Sequence, residues 1–97
     1  MIESFGDKAT EALFHGTENK LTRQIPNDII KTALRKLDLL NAAEQLDDLR
    51  SPPGNRLEAL KGDLKGFYSI RINDQWRIIF RWELGLVKDV EIIDYHD

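Results

Sequence analysis

The hydrophobic positions follow two different periods along the chain, and Ser51-Pro52-Pro53-Gly54 divides them. Two prolines and a glycine cannot continue a helix, so this stretch is a boundary. Before it, Ile30, Ala33, Leu34, Leu37 and Leu40 recur at helical spacing, with Asp28, Lys31, Arg35 and Asp38 on the opposite face. The spacing predicts one amphipathic helix over about 27–41, starting at Pro26, and a second short helical piece over about 42–49 that continues or bends from it. A shorter helix is expected over 7–15, stopped by Gly16, and the polar residues 17–25 read as loop.

After the boundary the period becomes two. Tyr68, Ile70 and Ile72 alternate with Phe67, Ser69 and Arg71; Trp76, Ile78, Phe80 and Trp82 alternate with Arg77, Ile79 and Arg81. Val90 and Ile92 alternate with Asp89, Glu91 and Ile93, and a shorter strand is expected over 56–60. Helices followed by an antiparallel meander imply an α+β fold, with the N-terminal helices packed on one face of a mainly antiparallel sheet. The loop at Asn73-Asp74-Gln75 decides the register, because a slip of one residue turns every side chain over. A two-residue loop mixes cations with core residues on each face. A three-residue loop pairs Ile72 with Trp76 and Arg71 with Arg77. It gathers Tyr68, Ile70, Ile72, Trp76, Ile78, Phe80 and Trp82 on one face, and Ser69, Arg71, Arg77 and Arg81 on the other. The second register is the expected one.

Two arginines directly opposite each other repel. A bound anion would account for the placement; so would separate pairing of each arginine with Glu58, Asp74 or Glu91. Charge sharpens this picture. The net charge is −3, which argues against a general nucleic-acid binder, yet residues 54–82 carry six cations (Arg56, Lys61, Lys65, Arg71, Arg77, Arg81) against Glu58, Asp63 and Asp74. The remaining composition narrows the class. Ninety-seven residues amount to one domain over 1–97, and 41% apolar with 32% charged content fits a soluble globular chain. No apolar run approaches the ~20 residues of a membrane span, so no membrane role is expected. The N-terminus lacks the pattern of a secretory signal, and the absence of cysteine fits the cytoplasm. His15 and His96 lie far apart in sequence, so neither a metal nor a cofactor is implied.

The C-terminal Asp94-Tyr95-His96-Asp97 offers acid–base groups. Histidine titrates near neutrality, and a neighbouring carboxylate can fix its tautomer. Cutting RNA needs little more than a base for the ribose 2′-OH, an acid for the leaving oxygen, and cations for the phosphorane charge. Arg71 and Arg77 would supply that charge. The competing reading is that His96 is a frayed surface end. Strict alternation also places Tyr95 on the arginine face with Ile93, and Asp94 and His96 on the other. His15 reads as a local helix-end cation, Trp76 and Trp82 follow the core parity, and Gly62 to Gly66 reads as a strand connection.

Three stretches carry a resemblance: Ser51-Pro52-Pro53-Gly54-Asn55-Arg56-Leu57-Glu58 with Leu60-Lys61-Gly62-Asp63; Ser69 to Ile78; and Val90 to His96. In this order they resemble HigB-type toxins of the RelE/ParE superfamily, over nearly the whole chain. The resemblance implies a RelE-like fold and ribosome-dependent cleavage of messenger RNA in the A site. It also implies a HigA-like helix-turn-helix antitoxin, with operator DNA reached only through the toxin–antitoxin complex. Carried over by position, it gives Asp94, Tyr95 and His96 as the C-terminal catalytic motif and Arg71 and Arg77 as phosphate-binding arginines. Arg56, Lys61, Lys65 and Arg81 become contacts to RNA or the ribosome. Some relatives carry a histidine where this chain has Glu58. As a base Glu58 would need a raised pKa, whereas neighbouring arginines would lower it, so its expected part is to orient an arginine. That exchange and the acidic net charge point to a slower nuclease with weaker general RNA affinity. Two other classes compete: a ParE-like, non-catalytic inhibitor of DNA gyrase, which needs neither opposed arginines nor a terminal histidine, and a degenerate toxin that only binds its antitoxin or the operator.

Overall fold

The computed structural model describes residues 1–17 and 20–95. Two α-helices, α1 (Lys8–Phe14) and α2 (Asn27–Ala42), precede four strands: β1 (Glu58–Ala59), β2 (Tyr68–Arg71), β3 (Trp76–Glu83) and β4 (Leu86–Asp94). The strands form one antiparallel sheet in the order β1-β2-β3-β4. The α+β architecture and the antiparallel meander are thus as the hydrophobic pattern predicts.

The register is the three-residue one, with Arg71 opposite Arg77 and Ile70 opposite Ile78. Asn73 closes the turn: its Oδ1 accepts the backbone N–H of Gln75 (2.9 Å) and of Trp76 (2.8 Å). Ile70, Ile78, Phe80, Val87, Val90 and Ile92 form the buried face, packed with Leu13, Ile29, Ala33, Leu37 and Leu40 from the helices. Trp76 and Trp82 lie partly buried against this core.

Four local features depart from the sequence reading. The buried stripe of α2 runs through Ile29, Ala33, Lys36, Leu37 and Leu40. It is rotated from the predicted one, and Ile30 and Leu34 instead line a groove beside Leu13, Thr22 and Arg23. The second helical piece is a 3-10 turn, Leu46–Arg50, started when Asp48 Oδ2 accepts the N–H groups of Glu44 and Gln45, each at 3.0 Å. A further 3-10 turn, Thr22–Gln24, lies within the predicted loop. β4 begins earlier than predicted, after a tight turn in which Leu84 (φ 51) and Gly85 (φ 78) are both left-handed.

The N-terminal residues add an edge that alternation does not reveal. Ile2 bridges to Val87 and Phe5 to Val90, both parallel, so residues 2–5 cover the outer edge of β4. β4 carries a bulge: Ile79 pairs with Glu91 but Arg81 pairs with Lys88, so two residues, Asp89 and Val90, oppose Phe80. Asp89 adopts φ 54 at this bulge. Strand β3 alternates without interruption, which keeps Arg77, Ile79 and Arg81 on one face.

Candidate active site

The face of the sheet turned away from the helices carries Arg71, Arg77 and Arg81, with Glu58 and Tyr95 against Arg77. Arg77 stands at its centre, opposite Arg71 on one side and Ile93 on the other. Its side chain is only 12% exposed, and its Nε and Nη1 are buried without a hydrogen-bond partner among the described residues. Glu58 Oε1 approaches Nη1 no closer than 4.0 Å. The Tyr95 ring lies against the guanidinium, 5.2 Å from Cζ to centroid. A buried cation without close hydrogen-bonded compensation is costly in the free protein, and an anion would remove that cost.

Arg71 is treated differently although it sits across from Arg77. Its Nη2 contacts the Asp74 carboxylate in the β2–β3 turn. Asp74 is almost fully exposed, and an exposed ion pair is worth little, about 0–1 kcal/mol. The two readings of the arginine pair therefore divide. Separate pairing describes Arg71, whereas Arg77 keeps unfilled donors. Of the three carboxylates named as partners, Glu58 faces Arg77 loosely, rather than Arg56 or Arg71. Glu91 leans to the other edge, where a Cβ on Gly6 would lie 2.8 Å from its Oε1 and 3.1 Å from the Asp89 carbonyl oxygen, so a larger residue there would make the neighbours shift. Burial, and then the Asp7 carboxylate, push the Glu91 carboxyl above its ordinary range.

The C-terminal motif is fixed to the turn that precedes Arg77. Tyr95 N–H donates to the Gln75 carbonyl (2.7 Å), and Gln75 Nε2 donates to Asp94 Oδ2 (3.0 Å). Asp94 pairs with Trp76, so the pleat places it on the side of the sheet opposite Arg77, while Tyr95 returns to the arginine face. This is the parity that alternation predicts for both. His96 lies outside the described residues.

The predicted RNA-contact residues lie in the turns on either side of β1 and on β3. Arg56 is exposed, with a left-handed backbone (φ 46), at the exit of the Pro53–Asn55 turn. Lys61 and Lys65 are exposed and flank the Gly62–Leu64 turn between β1 and β2. Arg81 packs over the Phe67 ring at 4.5 Å and pairs with Asp89, Nε to Oδ2 3.4 Å. Among the described residues no group of three or more His, Asp and Glu gathers at metal-binding distance.

Sequence reasoning missed one buried polar unit behind the site. Lys36, on the core face of α2, donates from Nζ to Asn55 Oδ1. Asn55 is fully buried, and its Nδ2 donates to the carbonyls of Leu49 (3.1 Å) and Ser51 (3.3 Å). This clip ties the Ser51-to-Arg56 loop to α2, immediately ahead of Arg56 and Glu58. Burial, and then the neighbouring Arg35, lower the Lys36 pKa below its ordinary 10.5. A lysine at a core-parity position of α2 was the signal available in the sequence.

Comparison with known proteins gives the family and the fold. Residues 3–96 match the family described as the RelE-like toxin of the type II toxin-antitoxin system HigB. A protein named Toxin HigB-1, from Vibrio cholerae serotype O1, is 46% identical over 86 residues, covering 89% of this chain and 88% of the relative. One named Endoribonuclease HigB, from Proteus vulgaris, is 31% identical over 97 residues, covering 100% of this chain and 98% of that one. The fold is shared with a toxin from a Staphylococcus aureus YoeB-YefM complex, at a TM-score of 0.61 and 20% identity, covering 100% of this chain and 99% of that chain. With the family matched over nearly its whole length, the chain belongs to the HigB-like toxins, RelE-like toxins of type II toxin–antitoxin systems.

Proposed function

We propose that this toxin is an endoribonuclease that cuts messenger RNA in the ribosomal A site, in the cytoplasm, and that a HigA-like helix-turn-helix antitoxin holds it in check. The observation that carries the reading is the Arg77 guanidinium, buried with Nε and Nη1 unfilled. A scissile phosphate supplies the oxygens it lacks. As charge grows on the phosphorane, the fixed donors gain strength without having to reorganise. Arg71, on the opposite strand, exchanges its weak contact with Asp74 for the same phosphate. Glu58, 4.0 Å from Arg77, is too far away to compete with the phosphate.

The ribose 2′-OH attacks, and Tyr95 and His96 provide the acid and base at the two sides of the phosphate. The contact of the Tyr95 ring with Arg77 supports this part for Tyr95. Asp94 acts through the strand end, which Gln75 holds. Arg56, Lys61, Lys65 and Arg81 line the approach and contact RNA or the ribosome, and the protein needs no metal for the step. The type II family and the YoeB-YefM assembly of its fold neighbour support an antitoxin partner. Operator DNA is reached through that partner.

In vitro translation of a defined messenger, with 5′ ends mapped with and without ribosomes, tests this reading. Cuts inside codons are expected only with ribosomes, and His96→Ala and Tyr95→Phe should each weaken them. Intact messenger in both lanes contradicts the reading, and a supercoiling assay would then examine a gyrase-type target.

A further inference from the structure

The two arginines at the ends of the exposed face of β3 are prepared for different ligands. Arg77 is unfilled, as described above. Arg81 is already neutralised: Asp89 Oδ2 lies 3.4 Å from its Nε, and the Phe67 ring lies 4.5 Å from its Cζ. Phe67 precedes β2 and, continuing the Tyr68–Phe80 register, stands directly opposite Arg81. The Arg81 side chain remains 40% exposed, so a ligand can reach it beside the Phe67 ring.

The backbone beside the guanidinium has two features of note. Asp89 occupies the left-handed position of a β-bulge, where glycine is the usual residue, and an aspartate there bears backbone strain. What the aspartate adds is the carboxylate against Arg81. Gly66, at φ 95, is the second feature: a Cβ there would lie 3.4 Å from Arg81 Nη1, in van der Waals contact, and the left-handed backbone favours glycine.

We propose that the Phe67–Arg81 stack is a nucleobase-binding subsite, which receives a base of the RNA strand whose phosphate Arg77 holds. A second phosphate is the poorer fit, because it would meet the Asp89 carboxylate beside the arginine. A base carries no net charge, and its π face suits a guanidinium plane already laid on an aromatic ring. Four residues of strand separate Arg77 from Arg81, about 13 Å at ~3.3 Å per residue. That span suits a nucleotide near the scissile one rather than the scissile one itself. Buried Ile79 lies between the two arginines on the same face. Stacking tolerates any base, so this subsite adds grip and register rather than a strict code.

The inference rests on the endoribonuclease reading for its substrate, and the test separates the two. Full-length toxin is titrated with a short single-stranded RNA made non-cleavable by 2′-deoxy sugars, and with a series in which one base at a time is removed. Phe67→Leu and Arg81→Lys should each bind the complete RNA roughly tenfold more weakly than wild type. On the one abasic RNA whose missing base belongs to the subsite, the variants and wild type should bind alike. Thermal melting of both variants checks that the fold is intact. Variants that bind every RNA like wild type, a loss of the same size on all abasic RNAs, or no RNA binding by wild type would each overturn the subsite. If wild type binds RNA with this signature yet leaves ribosome-bound messenger intact, the cleavage reading fails and the subsite stands.

Discussion

Under the proposed function, Arg77 trades stability for activity. Its guanidinium is largely buried, two of its nitrogens lack partners among the described residues, and the nearest carboxylate is 4.0 Å away. Replacing a buried, unsatisfied group with an apolar one of similar length removes a desolvation cost of about 1–3 kcal/mol. Arg77→Met is therefore expected to raise the thermal midpoint of the free toxin while abolishing cleavage, a stability–activity trade. Calorimetry on the isolated toxin checks this, and a lowered midpoint would mean that Glu58 and Tyr95 compensate Arg77 more fully than their distances indicate. Sequence parity located Arg77 and Arg71 on one face and opposite each other. It could not tell them apart, because the difference lies in where each guanidinium ends: Asp74 is three residues from Arg71 and within its reach, and no such carboxylate follows Arg77.

At the scale of elements, the Lys36–Asn55 clip joins α2 to the loop that presents Arg56 and Glu58. Its titration has a definite sign. The folded pKa of Lys36 lies below its ordinary 10.5. Between the lowered value and 10.5 the unfolded chain holds a proton that the folded chain does not, so stability rises with pH across that window. The penalty is fully present below the folded pKa and gone above 10.5. Lys36→Met should flatten this rise, measured as urea midpoints at increasing alkaline pH; an unchanged slope would show that Lys36 does not titrate in the folded state. Asn55→Ala should cost about 1–3 kcal/mol, since it strips the buried lysine and two carbonyls of a partner. The elements themselves were largely legible. The change of hydrophobic period at Ser51-Pro52-Pro53-Gly54 separates helices from sheet as the structure does, and the Asn73 turn set the register. What stayed hidden depended on tertiary contacts. The rotation of the α2 stripe, the bulge at Asp89 and the N-terminal residues along β4 leave no period in the sequence. The Leu84-Gly85 turn lacks the Asn-Gly signature of its type.

For the whole molecule, the sheet face turned away from the helices sets Arg71, Arg77 and Arg81 among the carboxylates Glu58, Asp89 and Glu91. Net charge alone says little here, because the proposed RNA contacts depend on where a few cations are placed rather than on their sum. The family was legible from three stretches taken together, since these are the pieces the fold brings to that face: the loop before β1, the β2–β3 hairpin and the end of β4. The helical half packs a core that many sequences would satisfy, and so it says little about function. The measurement closest to the central claim is the single-turnover rate of messenger cleavage on programmed ribosomes, wild type against Arg77→Ala, with both proteins shown to be folded. Loss of a preorganised donor to a developing anionic charge predicts a fall of about 10²–10³ with the cut at the same nucleotide. A rate for Arg77→Ala within about twofold of wild type would contradict the account, since donors of that strength cannot be removed from a working site unnoticed.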